Sequence, residues 1–143
     1  MTHIPANAEW YLADIIEQIT VEGDMRNIVH KNMVLLRAVS PDEAYAKAMA
    51  LGRGREITYQ NPSNKLVRIR FRGLSDLNVI GDQLEDGTEV LFVEKIGIDD
   101  AEIAKWIRPK DQLNIFRAVK PNDSPDYSSG EIVEAAKRLI ENS

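Results

Sequence analysis

The chain has 143 residues, 43% of them apolar, which is enough for one hydrophobic core and short for two. Its 18 basic and 23 acidic residues leave a net charge of -5, the reverse of the balance of a duplex nucleic-acid binder, so any basic surface is a local patch. Cysteine is absent, which excludes disulfides, thiolate catalysis and Cys-ligated zinc or iron–sulfur sites and fits a reducing compartment.

The opening Met1-Thr2-His3-Ile4-Pro5 has no basic region followed by an apolar run. No segment approaches the ~20 apolar residues of a membrane span. A soluble, cytoplasmic protein with no membrane partner is expected.

Trp10 to Thr20 is rich in aromatic and β-branched residues, with Tyr11, Ala13 and Ile15 on one parity and Leu12 and Ile16 on the other, and reads as a strand buried over part of both faces. Val21-Glu22-Gly23-Asp24 is a turn signal, and Asn27 to Val39 reads as a second strand with Met33-Val34-Leu35-Leu36 as its buried centre. Two strands joined by a short polar loop form an antiparallel pair.

Ser40-Pro41-Asp42-Glu43 starts a helix: Ser40 as N-cap, Pro41 in the first helical position and Glu43 reaching back to complete a capping box. Its apolar face is Ala44, Tyr45, Ala48, Met49 and Leu51, and Gly52 is expected to end it in the left-handed conformation.

Ile57, Thr58 and Tyr59 form a short strand, and Asn61-Pro62-Ser63-Asn64 turns the chain into the most regular stretch of the sequence. Leu66-Val67-Arg68-Ile69-Arg70-Phe71-Arg72 alternates strictly, so Val67, Ile69 and Phe71 point one way and three arginines the other. Gly73 and Ser75-Asp76 bend or bulge that strand before Leu77-Asn78-Val79-Ile80 continues it. Asp86-Gly87 reads as a hairpin turn with Thr88 to Ile96 as the return strand.

Asp99, with Glu102 three residues on, caps a short helix carrying Ile103, Trp106 and Ile107 before Pro109 stops it. Leu113 to Val119 reads as a last strand. Lys120-Pro121-Asn122-Asp123-Ser124-Pro125-Asp126 has the composition of a linker, and Ser128 with Glu131 opens a C-terminal amphipathic helix with Ile132, Val133, Ala136, Leu139 and Ile140 on one face. The domain organisation expected is therefore a single domain over 8–119, a linker over 120–127 and a C-terminal helix over 128–143.

Three of these signals together, Trp10-Tyr11-Leu12-Ala13, Pro41-Asp42-Glu43-Ala44 running to Ala48, and Asp86-Gly87-Thr88-Glu89-Val90, resemble a bacterial family of small domains of unknown function. The resemblance covers roughly Trp10 to Ile96. Such families tend to carry aromatic or neutral residues on the outer face of the central strand, where this chain has arginines. The resemblance implies a fold and a bacterial origin, and it implies no activity.

Residues that would specify a reaction are sparse. There are two histidines, His3 near the terminus and His30 in the second strand, the latter read as structural or solvent-facing. No His-Glu-x-x-His or Gly-x-Ser-x-Gly motif is present. No lysine has Asp or Glu two residues before it, so the carboxylate–lysine pair of a metal-dependent nuclease hairpin is missing. Gly52-Arg53-Gly54-Arg55 follows a helix, whereas a phosphate cradle precedes one, where the dipole suits an anion.

The arginine stripe remains. Arg68, Arg70 and Arg72, about 7 Å apart along the strand, are either neutralised by carboxylates such as Glu89, Glu94, Asp14 or Glu17, or present their guanidinium forks to a partner. Arg53 and Arg55 could extend the patch.

The fold class expected is α+β: an antiparallel sheet of four or five strands with helices on one face, plus a C-terminal amphipathic helix. The function expected is a non-enzymatic protein-interaction module that works through a protein partner or by self-association as a homodimer, with no cofactor and no metal. The alternatives are a small-ligand or nucleic-acid binder using the same arginines, against which the net charge speaks for nucleic acid, and an enzyme of unrecognised type.

Overall fold

The computed structural model describes residues 9–117 and 124–129 of the chain. They fall into two compact units. The first takes in the described residues up to Leu91 together with 124–129, and the second begins at Phe92.

The first unit is α+β. Strands β1 (Trp10–Val21), β2 (Ile28–Arg37), β3 (Ile57–Gln60) and β4 (Leu66–Ile80) form one antiparallel sheet in the order β2-β1-β4-β3, and helix α1 (Pro41–Gly54) lies on one face of it. The β1–β2 pair runs in unbroken register from Trp10 opposite Arg37 to Ile19 opposite Ile28. Central position buries β1 on both faces from Tyr11 to Ile15. Along β4 the register slips opposite Asp14/Ile15 and Ile16/Glu17, leaving Ser75 and Arg72 as the extra residues beside Gly73, whose φ is +129°. Two bulges within four residues bend the strand where glycine tolerates it.

β2 departs from the sequence reading. Met33 and Leu35, expected in a buried centre, are 59% and 48% exposed, while Val34 and Leu36 face the core. β2 is an edge strand with one covered face, so alternate residues are left outside.

Helix α1 begins as its cap dictates: Ser40 Oγ accepts from the Glu43 N–H at 3.1 Å, while the Glu43 carboxylate reaches back to the Val39 N–H at 3.4 Å, one residue beyond the N-cap. Its small residues Ala44 and Ala48 are buried against Tyr11, Ala13, Leu36 and Ala38, and Gly52 is buried too, whereas Tyr45 and Leu51 are exposed. Gly52 does not end the helix; the last turn runs on to Gly54, with Arg55 as C-cap in right-handed conformation. A Cβ on Gly52 would meet the Phe71 ring, with Cζ at 2.7 Å, so glycine is there for close approach of helix and sheet.

Asp86-Gly87 does form a turn, with the Thr88 N–H donating to the Glu85 carbonyl at 3.0 Å and Gly87 at φ +91°, but residues 88–96 form no strand. β3 covers β4 only from Leu66 to Ile69, so on that side β4 has no strand partner from Arg70 to Ile80, and residues 88–96 do not pair there.

The second unit contains α2 (Asp100–Trp106), capped by Asp99 through the Glu102 N–H at 2.9 Å, and two 3-10 turns, Lys110–Gln112 and Asn114–Phe116. These turns occupy the described part of the strand expected from Leu113, because consecutive i to i+3 bonds close from Lys110 to Arg117. None of its described residues is buried. The expected C-terminal helix lies, beyond Ser129, outside the described residues. No helix among them is long and apolar enough to cross a membrane.

Candidate functional site

The antiparallel register assigns each side chain to one of two sheet faces. On the face away from α1 lie Arg68 opposite Thr20, Arg70 opposite Gln18, and Met33 and Leu35 on the neighbouring edge. Arg68, Arg70 and Arg72 are all exposed. The bulged Arg72 donates from Nη1 to Gln18 Oε1 at 2.7 Å, and among the described residues Arg68 and Arg70 have no hydrogen-bond or ion-pair partner. The carboxylates considered as neutralisers are elsewhere. Glu89 and Glu94 lie on no strand, Glu17 faces the other side, and Asp14 lies buried opposite Asp76 with Oδ1 unpartnered.

The same register separates the five arginines singled out in the sequence. Arg53 is exposed in the last turn of α1. Arg55 lies on the helix side of the sheet, so it does not continue the Arg68–Arg70–Arg72 stripe.

On that helix side the sheet is covered at one end by α1 and at the other by residues 124–129. Three rungs cross it between them: His30–Glu17–Phe71, then Ile28–Ile19–Ile69–Ile57, then Val21–Val67–Tyr59. Glu17 is only 4% exposed, a carboxyl group on the parity of Tyr11, Ala13, Ile15 and Ile19. Its burial is offset by Arg55, which donates from Nη2 to Oε1 at 3.0 Å and from Nε to Oε2 at 3.3 Å, and by Asn32, whose Nδ2 donates to Oε1.

The far end is fastened by two side chains. Tyr59 donates its hydroxyl to the Tyr127 carbonyl, and Asn61 donates to the Asp126 carbonyl at 2.7 Å while its Oδ1 accepts from Ser63 and Lys65 N–H in the β3–β4 turn. The Tyr127 ring meets His30 edge-to-face at 5.7 Å. Partial burial pushes the Tyr59 phenol above its ordinary range, helped by the Asp126 and Tyr127 charges, and hydrogen bonds from Ser128 hold Asp126 below the ordinary carboxylate range.

Between the end of α1 and residues 124–129 lies a cleft of about 910 Å3, with Ile19, Ile57 and Ile69 as floor and Glu17, Arg55 and His30 on one side. Sequence reasoning passed over it. The one available signal is a carboxylate at Glu17, on the buried parity of an otherwise apolar strand.

A family model described as a domain of unknown function, DUF4288, matches residues 10–92. The chain belongs to the DUF4288 family. This agrees with the resemblance to small domains of unknown function carried by the Trp10-Tyr11 opening, the Ala-rich helix and the Asp86-Gly87 turn. No curated protein and no solved structure matches the chain. The DUF4288 region contains all four strands and α1, hence the arginine face and the Glu17–Arg55 pair, whereas Tyr127 lies outside it. No group of three or more His, Asp or Glu among the described residues is arranged to hold a metal ion.

Proposed function

We propose that this DUF4288 protein is a non-enzymatic interaction module of the cytoplasm that docks a protein partner on the sheet face opposite α1. The observation that carries the reading is the pairing of unspent charge with uncovered apolar surface on one rigid sheet. Arg68 and Arg70 have no acceptor among the described residues; on the same face Val29, on the rung of Gln18 and Arg70, is 60% exposed, and Met33 and Leu35, further along β2, are 59% and 48% exposed. Desolvated apolar contacts supply affinity, and guanidinium forks select carboxylates, so the partner is an acidic segment interspersed with apolar side chains.

A random-peptide display selection on the full chain tests this, with counter-selection on the R68E/R70E/R72E variant. Enrichment of Asp/Glu-rich apolar sequences that the variant does not retain is expected. Enriched peptides that bind the variant equally, or a preference for single-stranded oligonucleotide over every peptide, would reject it.

Self-association is the second reading, and one observation favours it. Phe92, Val93, Ile96, Ile107 and Ile115 of the second unit are 70–87% exposed, a density of apolar surface that a second copy would cover. Sedimentation velocity over a concentration series, with F92D/I96D as the control, reads it directly. A sedimentation coefficient independent of concentration in the unsubstituted chain would exclude it.

A further inference from the structure

The cleft on the helix side of the sheet is a different surface from the proposed docking face, and its polar groups are unevenly spent. Glu17 uses both carboxylate oxygens on Arg55 and Asn32. Tyr59 uses its hydroxyl on the Tyr127 carbonyl. Arg55 is held by its Nε and Nη2, which leaves the Nη1 donors without an acceptor among the described residues, and His30 makes a ring contact with Tyr127 but no hydrogen bond there. What the cleft retains on one side is therefore donor capacity from a guanidinium and an imidazole.

The opposite chemistry lines the floor. Ile19, Ile57 and Ile69 come together from three strands on successive positions of one rung, and the Tyr59 ring closes the end. At about 910 Å3 the space is of the order of small-molecule sites, which are apolar with a few convergent polar groups. The Glu17 carboxylate fixes the guanidinium by one edge, and a fixed edge loses less conformational entropy when the free edge binds.

We infer that this cleft binds a small organic acid with an apolar body, its carboxylate accepting from Arg55 Nη1 and His30 and its hydrocarbon lying on Ile19, Ile57 and Ile69. The anion is favoured over a cation because the unspent groups on this side are donors, while the Glu17 carboxylate is already engaged at both oxygens by Arg55 and Asn32. Tyr127, Ser128 and Ser129 form the facing rim, so the site combines the family domain with a segment outside the family match.

The test is an NMR titration of the full chain with 1-naphthoate and, in parallel, with 1-naphthamide, which has the same body without the charge. Saturable shifts centred on the amides of Ile19, His30, Ile57 and Ile69 are expected, with the acid binding about tenfold tighter than the amide. The E17Q/R55Q variant, which keeps a neutral hydrogen-bonding pair, should bring acid and amide level. Ile57→Trp, at a half-exposed edge-strand position away from the ion pair, should fill the floor and abolish binding of both while the chain stays folded. Equal affinity for acid and amide in the unsubstituted chain, shifts centred elsewhere, undiminished binding by I57W, or no saturable shift with either probe would overturn the inference.

Discussion

Gly52 of α1 and Phe71 of β4 are in such close contact that a single methyl group between them has no room: a Cβ on Gly52 would sit 2.7 Å from the ring's Cζ. Alanine normally gains about 1 kcal/mol over glycine inside a helix. Here overpacking costs about 1–3 kcal/mol and exceeds that gain. Gly52→Ala is therefore expected to lower the urea midpoint, whereas Gly54→Ala, with nothing within 4 Å of its Cβ, is expected to leave it unchanged or raise it slightly. Equal effects at the two positions would show that helix propensity, not the ring, sets the outcome.

Arg55→Met removes the charged partner of a carboxylate whose side chain is 5% exposed. Breaking a fully buried pair costs about 3–5 kcal/mol, and the 45% exposure of the Arg55 side chain reduces this to about 2 kcal/mol. The E17M/R55M double variant should be less damaged than R55M alone, because no unpaired charge remains. Chemical denaturation of the unsubstituted chain, E17M, R55M and E17M/R55M in a double-mutant cycle measures the coupling, and additive effects would refute it.

Two pH-sensitive groups act on residues 124–129, Tyr59 in their attachment to the sheet and Asp126 in the hydrogen bonds to Ser128 within the segment. The Tyr59 phenol has a folded-state pKa raised above its ordinary 10.0, so its contribution is complete below that value and is lost as pH rises through the folded-state pKa. Asp126 has a folded-state pKa lowered below 3.8, so its contribution is present above that value and is lost as pH falls through the folded-state pKa. Ultraviolet difference titration should show a phenol ionising above the ordinary range, and Tyr59→Phe should remove that late component. A late component that survives the substitution belongs to another tyrosine.

Asp14 is 7% exposed, its Oδ1 has no hydrogen-bond partner among the described residues, and it lies directly opposite Asp76. A buried acceptor left unmade and a like charge across the strand both oppose folding. Asp14→Val should raise stability by about 1–2 kcal/mol in thermal or urea unfolding. A loss of similar size would mean that the carboxylate is held by a favourable contact.

How much of this could be read in one dimension follows from how local each signal is. Ser40 and Glu43 sit three residues apart and write their own helix start, and the alternation from Val67 to Arg72 assigns the arginines to one face whatever the neighbours are. The failed return strand at Thr88–Ile96 is the opposite case: its turn is local, but pairing back along β4 is a long-range contact that the turn residues do not carry. Met33 and Leu35 look like core until β2 is known to be an edge strand. Arg55 changes face because α1 runs on past Gly52, and position 52 is glycine because Phe71 comes close to it, a contact across 19 residues of sequence that no local pattern carries.

The proposed docking face is tested most directly by affinity for one defined probe, a peptide alternating glutamate and leucine, measured by fluorescence anisotropy on the unsubstituted chain and on R68E/R70E/R72E with thermal unfolding as the fold control. Saturable binding that the charge reversal weakens by about a hundredfold at unchanged melting temperature is the expected result. Equal binding by both proteins, or none by the unsubstituted chain, would contradict a role for Arg68, Arg70 and Arg72 in partner recognition.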